Sequence, residues 1–179
     1  GIEIDMNTGT GWPFGGPEVS IEDAASKAIF QTYDIEGGQE IVQDINVTDK
    51  KQQPYSVLSR VMAYDENGRC INLTSHVRKD KLEWKAPAGK WKVIALYNSK
   101  TRQKVKRAAP GGEGYVMNHL SKTAVKNYLS RFDRAFKSSK TSYPHTFFND
   151  SYEVYQADWT EDFLDQFARR RGYKLEEHF

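Results

Sequence analysis

Six short runs of alternating side chains follow one another between Ile29 and Asn98: Ile29–Ile35, Glu40–Val47, Ser56–Tyr64, Cys70–Val77, Lys81–Trp84 and Trp91–Asn98. A period of two places one face of a strand in a core and the other in water. Gly37-Gly38, the stretch Asp65-Glu66-Asn67-Gly68 and the stretch Ala86-Pro87-Ala88-Gly89 separate the runs with residues that favour turns. No helical period intervenes. Short connections of this kind join antiparallel neighbours, so residues 29–107 are expected to fold as an antiparallel β-sandwich. Trp84 and Trp91 flank the Pro-Ala-Gly turn, where they are expected to pack across a hairpin.

The flanks have a different character. In residues 1–28, Ile2, Ile4 and Met6 alternate with Glu3, Asp5 and Asn7, then run into TGTGWPFGGP, whose glycines and prolines forbid regular structure. Ser20 is placed to cap a short helix through Ala24 and Ala25, with Asp23 at its third position. In residues 108–179, AAPGGEG forms a loop and Ser121 caps a helix with Val125, Leu129, Phe132 and Phe136 on one stripe. A short strand, His145–Phe148, follows and ends in Asn149-Asp150. A second helix starts at Thr160, carries Arg169, Arg170 and Arg171 at its favourable end, and stops at Gly172.

The expected fold is therefore α/β with an all-β insertion: a partial (β/α)8 TIM-type barrel, residues 1–28 and 108–179, interrupted by an antiparallel β-sandwich at 29–107. Polar residues at the ends of both flanking strands suit a barrel, whose chemistry sits at the carboxyl ends of its strands. A complete barrel needs about 250 residues, more than the flanks supply.

Composition excludes several partners. The 26 basic residues nearly balance the 24 acidic ones, which leaves no electrostatic footprint for nucleic acid or an anionic membrane. The one dense basic stretch, Lys100, Arg102, Lys104, Lys106 and Arg107, alternates like the solvated face of a strand. The single cysteine, Cys70, excludes an internal disulfide and a cysteine-rich zinc site. His76, His119, His145 and His178 show no metal-ligand spacing. No leader precedes Gly1, so an exported form would have lost its signal. The chain opens in strand-like sequence and stops soon after a helix, so both ends read as cuts. Exposed sheet edges there would favour a homo-oligomer.

Candidate chemistry gathers in three places. Past the strand at 145–148 come Asn149, Asp150, Ser151, Tyr152 and Glu153. Glycoside hydrolysis needs two carboxyl groups, one protonated, and a glutamate desolvated among Tyr152, Tyr155 and Trp159 would have its pKa raised as a general acid requires. The bland alternative is that Asp150 caps a turn and Glu153 is solvated. The loop Gly9–Gly16 is neither GxGxxG nor a P-loop, and its Trp12 and Phe14 suit a sugar platform better than a phosphate cradle. Asp5 and Asn7, at the same strand end, could bond sugar hydroxyls or simply order the loop. Glu113, presented by glycines, could contact a hydroxyl or an ion such as Ca²⁺.

Taken in order, DMNTGTGWPFGGP, RAAPGGEG and FFNDSYEVYQADWTEDFLDQFARRRGY resemble glycoside hydrolase family 106, the α-L-rhamnosidases. The resemblance implies a (β/α)8 catalytic barrel that removes terminal α-L-rhamnose from plant-type polysaccharides with inversion, in a periplasmic or secreted bacterial protein. It implies Glu153 as general acid, Trp12 on the substrate-facing loop and a calcium ion near the sugar, with Glu113 as candidate ligand. The family's general base lies C-terminal to the acid, beyond Phe179, so the chain alone is expected not to turn over. A rival reading is a non-catalytic carbohydrate-binding sandwich that uses Trp84 or Trp91 to stack sugars.

Overall fold

A computed structural model describes residues 1–149 and 152–179. Along the chain run β1 (Asp5–Asn7), β2 (Gly15–Gly16), β3 (Ser26–Glu36), β4 (Glu40–Asp44), β5 (Val57–Asp65), β6 (Cys70–Asn72), β7 (Val77–Arg78), β8 (Lys81–Lys85), β9 (Lys90–Lys100), β10 (Tyr115–Val116), α1 (Lys122–Ser139), β11 (Thr146–Phe148) and α2 (Phe163–Arg171). The chain divides into two compact units, residues 1–27 with 100–160, and residues 28–99 with 161–179.

Strands predominate, and the described residues contain no (β/α)8 barrel, which overturns the expected TIM-type architecture. A barrel is built from parallel strands, each returned by a long crossover. Here β1 and β11 form one parallel pair of three residues each. The pairs β2–β10, β4–β8, β5–β6, β5–β9 and β7–β8 are antiparallel. The short turns between successive strands from β3 to β9 leave no chain length for the helical crossovers a barrel needs, and β4–β8 and β5–β9, distant in sequence, pair antiparallel as well.

In the unit of residues 28–99 and 161–179, one sheet has the order β3-β9-β5-β6 and another the order β4-β8-β7. The period-two pattern sends Leu82 and Trp84 of β8 inward together with Val61 and Ala63 of β5 and Trp91, Val93 and Ala95 of β9, forming one apolar core. Trp84 and Trp91 meet edge to face at 5.1 Å. Between β6 and β7 the run Cys70–Val77 breaks into a 3-10 turn at Thr74–His76, started by the Asn72 side chain, which accepts from the Thr74 N–H at 2.9 Å. The helix α2 ends at Gly172, which takes φ 80°, a conformation glycine adopts freely.

In the unit of residues 1–27 and 100–160, α1 lies between the parallel strands β1 and β11 in the chain. Ser121 caps it, accepting from the Ala124 N–H at 3.2 Å. Its buried seam is Ala124 and Tyr128, flanked by Val125 and Phe132, whereas Leu129 is exposed, so the inward face is turned from the expected stripe. The helix expected from Ser20 is a turn instead. Ala25 N–H donates to Val116 O at 2.9 Å and Asn118 N–H to Asp23 O at 2.8 Å, drawing this backbone into a strand-like pairing. Ala24 and Ala25 have high helix propensity, but burying both against Met117 and Val116 outweighs it.

Candidate active site

Parallel pairing sets Asn7 opposite Phe148, so the chain leaves both strands at the same end. One strand continues into the glycine-rich loop and the other into Asn149. Between them lies a cleft of about 310 Å³, lined by Asn7, Gly9, Thr10, Gly11, Trp12, Phe14, Lys106, Arg107 and Asn149.

The loop is held from three sides. Thr10 N–H donates to Gly15 O at 3.1 Å, and its hydroxyl donates to Gly112 O at 2.6 Å. Trp12 and Lys106 exchange backbone bonds, Trp12 N–H to Lys106 O at 3.1 Å and Lys106 N–H to Trp12 O at 2.7 Å. A Cβ on Gly11 would stand 2.6 Å from Lys106 O, so this close pairing requires glycine. From α1, the Tyr128 hydroxyl reaches Thr8 O at 2.7 Å and Gly15 O at 2.8 Å, while Arg131 Nη2 donates to that hydroxyl at 2.8 Å. Burial, the larger influence, raises the Tyr128 pKa against the lowering effect of Arg131, so the phenol stays protonated and available as a donor. Tyr128→Phe removes a hydroxyl engaged with two buried loop carbonyls and is expected to cost about 1–3 kcal/mol. Urea unfolding of the variant against the parent checks this, and an unchanged midpoint would contradict the loop-tethering role.

Of the residues singled out from sequence, Asn7, Trp12 and Asn149 meet in the cleft. Asp5 lies on exposed β1 opposite Thr146, with Oδ1 3.8 Å from His145 Nδ1. Tyr152 is exposed and stands 5.0 Å from His119 between ring centroids. Burial lowers the His119 pKa, and its Nδ1 has no hydrogen-bond partner among the described residues. Asp150 lies outside the described residues. Glu153 is exposed, as are Tyr152 and Tyr155, so of the three rings expected to desolvate it only Trp159 is buried. The Gln103 side chain straddles its backbone: Nε2 donates to Glu153 O at 3.3 Å and Oε1 accepts from Tyr155 N–H at 2.8 Å. Glu113 is exposed and accepts from Gly111 N–H at 2.9 Å, closing its own loop. Among the described residues no three His, Cys, Asp or Glu side chains gather as a metal site.

Sequence reasoning missed Lys106, Arg107 and Gln103. The basic stretch is not the face of a continuous strand: it pairs through isolated bridges, Lys104 to Tyr115 and Lys106 to Trp12. Lys100 Nζ donates to Glu22 O at 2.6 Å and Ala24 O at 3.2 Å, and Lys106 Nζ stands 5.7 Å from the centroids of both Trp12 and Tyr155. The only signal in the sequence was alternation, which does not reveal the partner segment. The sugar-stacking expectation for the sandwich tryptophans fails: Trp84 and Trp91 are 7% and 4% exposed, and Trp91 Nε1 donates to Pro87 O at 2.9 Å.

Residues 46–179 match the sequence model of the glycoside hydrolase 106 family, described as alpha-L-rhamnosidase. A Formosa agariphila protein, provisionally named a beta-glucuronidase, is 27% identical over 98% of this chain and 19% of its own length. The solved structure of a rhamnosidase from Novosphingobium sp. PP1Y superposes with a TM-score of 0.65 at 15% identity, over 91% of this chain and 32% of that one. The latter likeness speaks for fold alone, and the chain spans under a third of the length of each of these relatives. No helix among the described residues is long and apolar enough to cross a membrane. The family match covers well over half of the chain, and the chain belongs to glycoside hydrolase family 106.

Proposed function

We propose that this chain supplies part of the substrate site of an inverting glycoside hydrolase that removes terminal α-L-rhamnose from a polysaccharide outside the cytoplasm. Glu153 acts as general acid, and the general base is supplied from outside these 179 residues. One observation carries the reading: the cleft beside Trp12 joins Asn7 and Asn149, and the chain runs from Asn149 within a few residues to Glu153. An aromatic ring beside two amides is the combination that stacks a sugar face and bonds its hydroxyls. Exposure of Glu153 is compatible with this role, because desolvation of the acid can come from bound substrate and from the segments that complete the site. Gln103 holds the backbone on which that carboxyl is mounted. An inverting mechanism needs a second carboxylate roughly 6.5–9.5 Å from the acid, with a water between. No step is assigned to calcium, for which the described residues offer no ligand cluster.

Methyl α-L-rhamnoside titrated into the isotope-labelled chain is expected to shift the Trp12 indole N–H and the amides of residues 9–14 and 149. Trp12→Ala should weaken binding roughly three- to tenfold, the worth of one aromatic contact. Shifts confined to residues 28–99 would refute this site and restore a binding sandwich. Rhamnose release by the 179-residue chain alone, abolished by Glu153→Gln, would overturn the placement of the base.

A further inference from the structure

The same cleft carries a charge that a neutral sugar does not require. Both ionisable residues in its lining are cations, Lys106 and Arg107, and no Asp or Glu lines it among the described residues. The charge is local rather than a by-product of a basic protein, because the chain as a whole is nearly balanced at net +2. Neither cation takes part in the ion pairs recorded among the described residues, although Arg131, Lys81 and Lys92 all have carboxylate partners.

Lys106 is also positioned. Its backbone is locked to Trp12 by the reciprocal pair, and its ammonium stands 5.7 Å from the centroids of Trp12 and Tyr155. Rings around a cation hold its direction while leaving its N–H donors available. Arg107, the next residue, is exposed and adopts φ 59°, a left-handed backbone uncommon outside glycine. Consecutive residues of an extended strand would point to opposite sides. The left-handed turn at Arg107 departs from that alternation, and both residues line one cleft.

A fork of guanidinium donors beside an ammonium is the arrangement that recognises a carboxylate or a sulfate, and it does so much more strongly than it recognises hydroxyls. We infer that this cleft binds an anionic sugar unit, a uronate or a sulfated residue, so that the polysaccharide is acidic where it meets Lys106 and Arg107. The inference rests on the proposal that the cleft is a sugar site and adds the charge of the unit bound there.

Three disaccharides separate the possibilities: α-L-rhamnosyl-glucose, its glucuronic acid counterpart and its glucose 6-sulfate counterpart. Each is titrated into the 179-residue chain at low and at high salt, with binding followed by calorimetry and by amide shifts. At low salt at least one acidic probe should bind about tenfold more tightly than the neutral one. High salt should shrink that advantage, because the site is open to solvent. The double variant Lys106→Gln/Arg107→Gln should lose the advantage, so that the acidic and neutral probes bind it alike, and Lys106→Arg should retain it. An advantage for the uronate alone or for the sulfate alone identifies the anion, and an equal advantage for both shows that charge is what the site reads. Equal affinity for all three probes overturns the inference and leaves the sugar-site proposal standing, as does an advantage that survives the double variant. Absence of binding by any probe to a folded chain overturns both.

Discussion

Glu153→Gln should lower hydrolysis of alkyl α-L-rhamnosides by about 10²–10⁴-fold in an active polypeptide containing these residues, the usual contribution of a positioned general acid. The substitution preserves size and hydrogen-bonding capacity but removes the transferable proton. The loss should therefore depend on the leaving group. An alkoxide needs protonation as the bond breaks, whereas a nitrophenolate largely does not, so aryl rhamnosides with acidic phenols should be affected least. Measuring kcat/KM across a series of leaving groups tests this. An equal loss for every substrate would indicate a binding or structural role, and full activity of the variant would remove Glu153 from the mechanism. Glu153 is exposed, so replacement should leave the unfolding midpoint within about 0.5 kcal/mol of the parent.

The second large effect is expected in the sheets. Leu82 is fully buried, belongs to β8, the middle strand of its sheet, and sits opposite Gln43 on one side and Val77 on the other. Leu82→Ala removes apolar atoms from a core shared by two sheets, and about 2–5 kcal/mol should be lost from the unit of residues 28–99 and 161–179. Trp84 and Trp91, packed edge to face in the same core, provide a near-ultraviolet signal for its unfolding in urea. Val42 serves as the control: it lies on neighbouring β4 but is 65% exposed, so Val42→Ala should change stability by no more than about 0.5 kcal/mol. Equal effects at the two positions would mean that the period-two pattern does not define the core face.

The strands of residues 28–99 were legible because alternation, turn residues and short connections are local properties that agree with one another. The caps at Ser121 and Gly172 were legible for the same reason, since a side-chain oxygen or a left-handed backbone acts within a few residues. Legibility failed where a distant segment competed. Ala24 and Ala25 favour a helix by themselves, yet the Ala25 N–H is taken up by Val116 and the preceding Asp23 carbonyl by Asn118, some ninety positions away. Leu129 fits an apolar stripe, but the hydroxyl of Tyr128 has partners at Thr8 and Gly15 that turn the helix toward them. The barrel expectation failed because two strand-and-helix patterns were extended to an architecture that the remaining chain, rich in hairpins, does not build.

The cleft shows the same division. By itself the sequence determined that an aromatic, glycine-hinged loop and an Asn149-to-Glu153 segment each follow a short strand, and its ordered motifs pointed to the family that the match confirms. Only the tertiary structure decided that Asn7, Trp12 and Asn149 share a cleft, that Lys106 and Arg107 give it positive charge, and that Gln103 holds the backbone of Glu153. The reason is physical: caps, turns and strand periods depend on neighbours within a few residues, whereas a site's charge is set by pairings across about a hundred, which local preference does not encode.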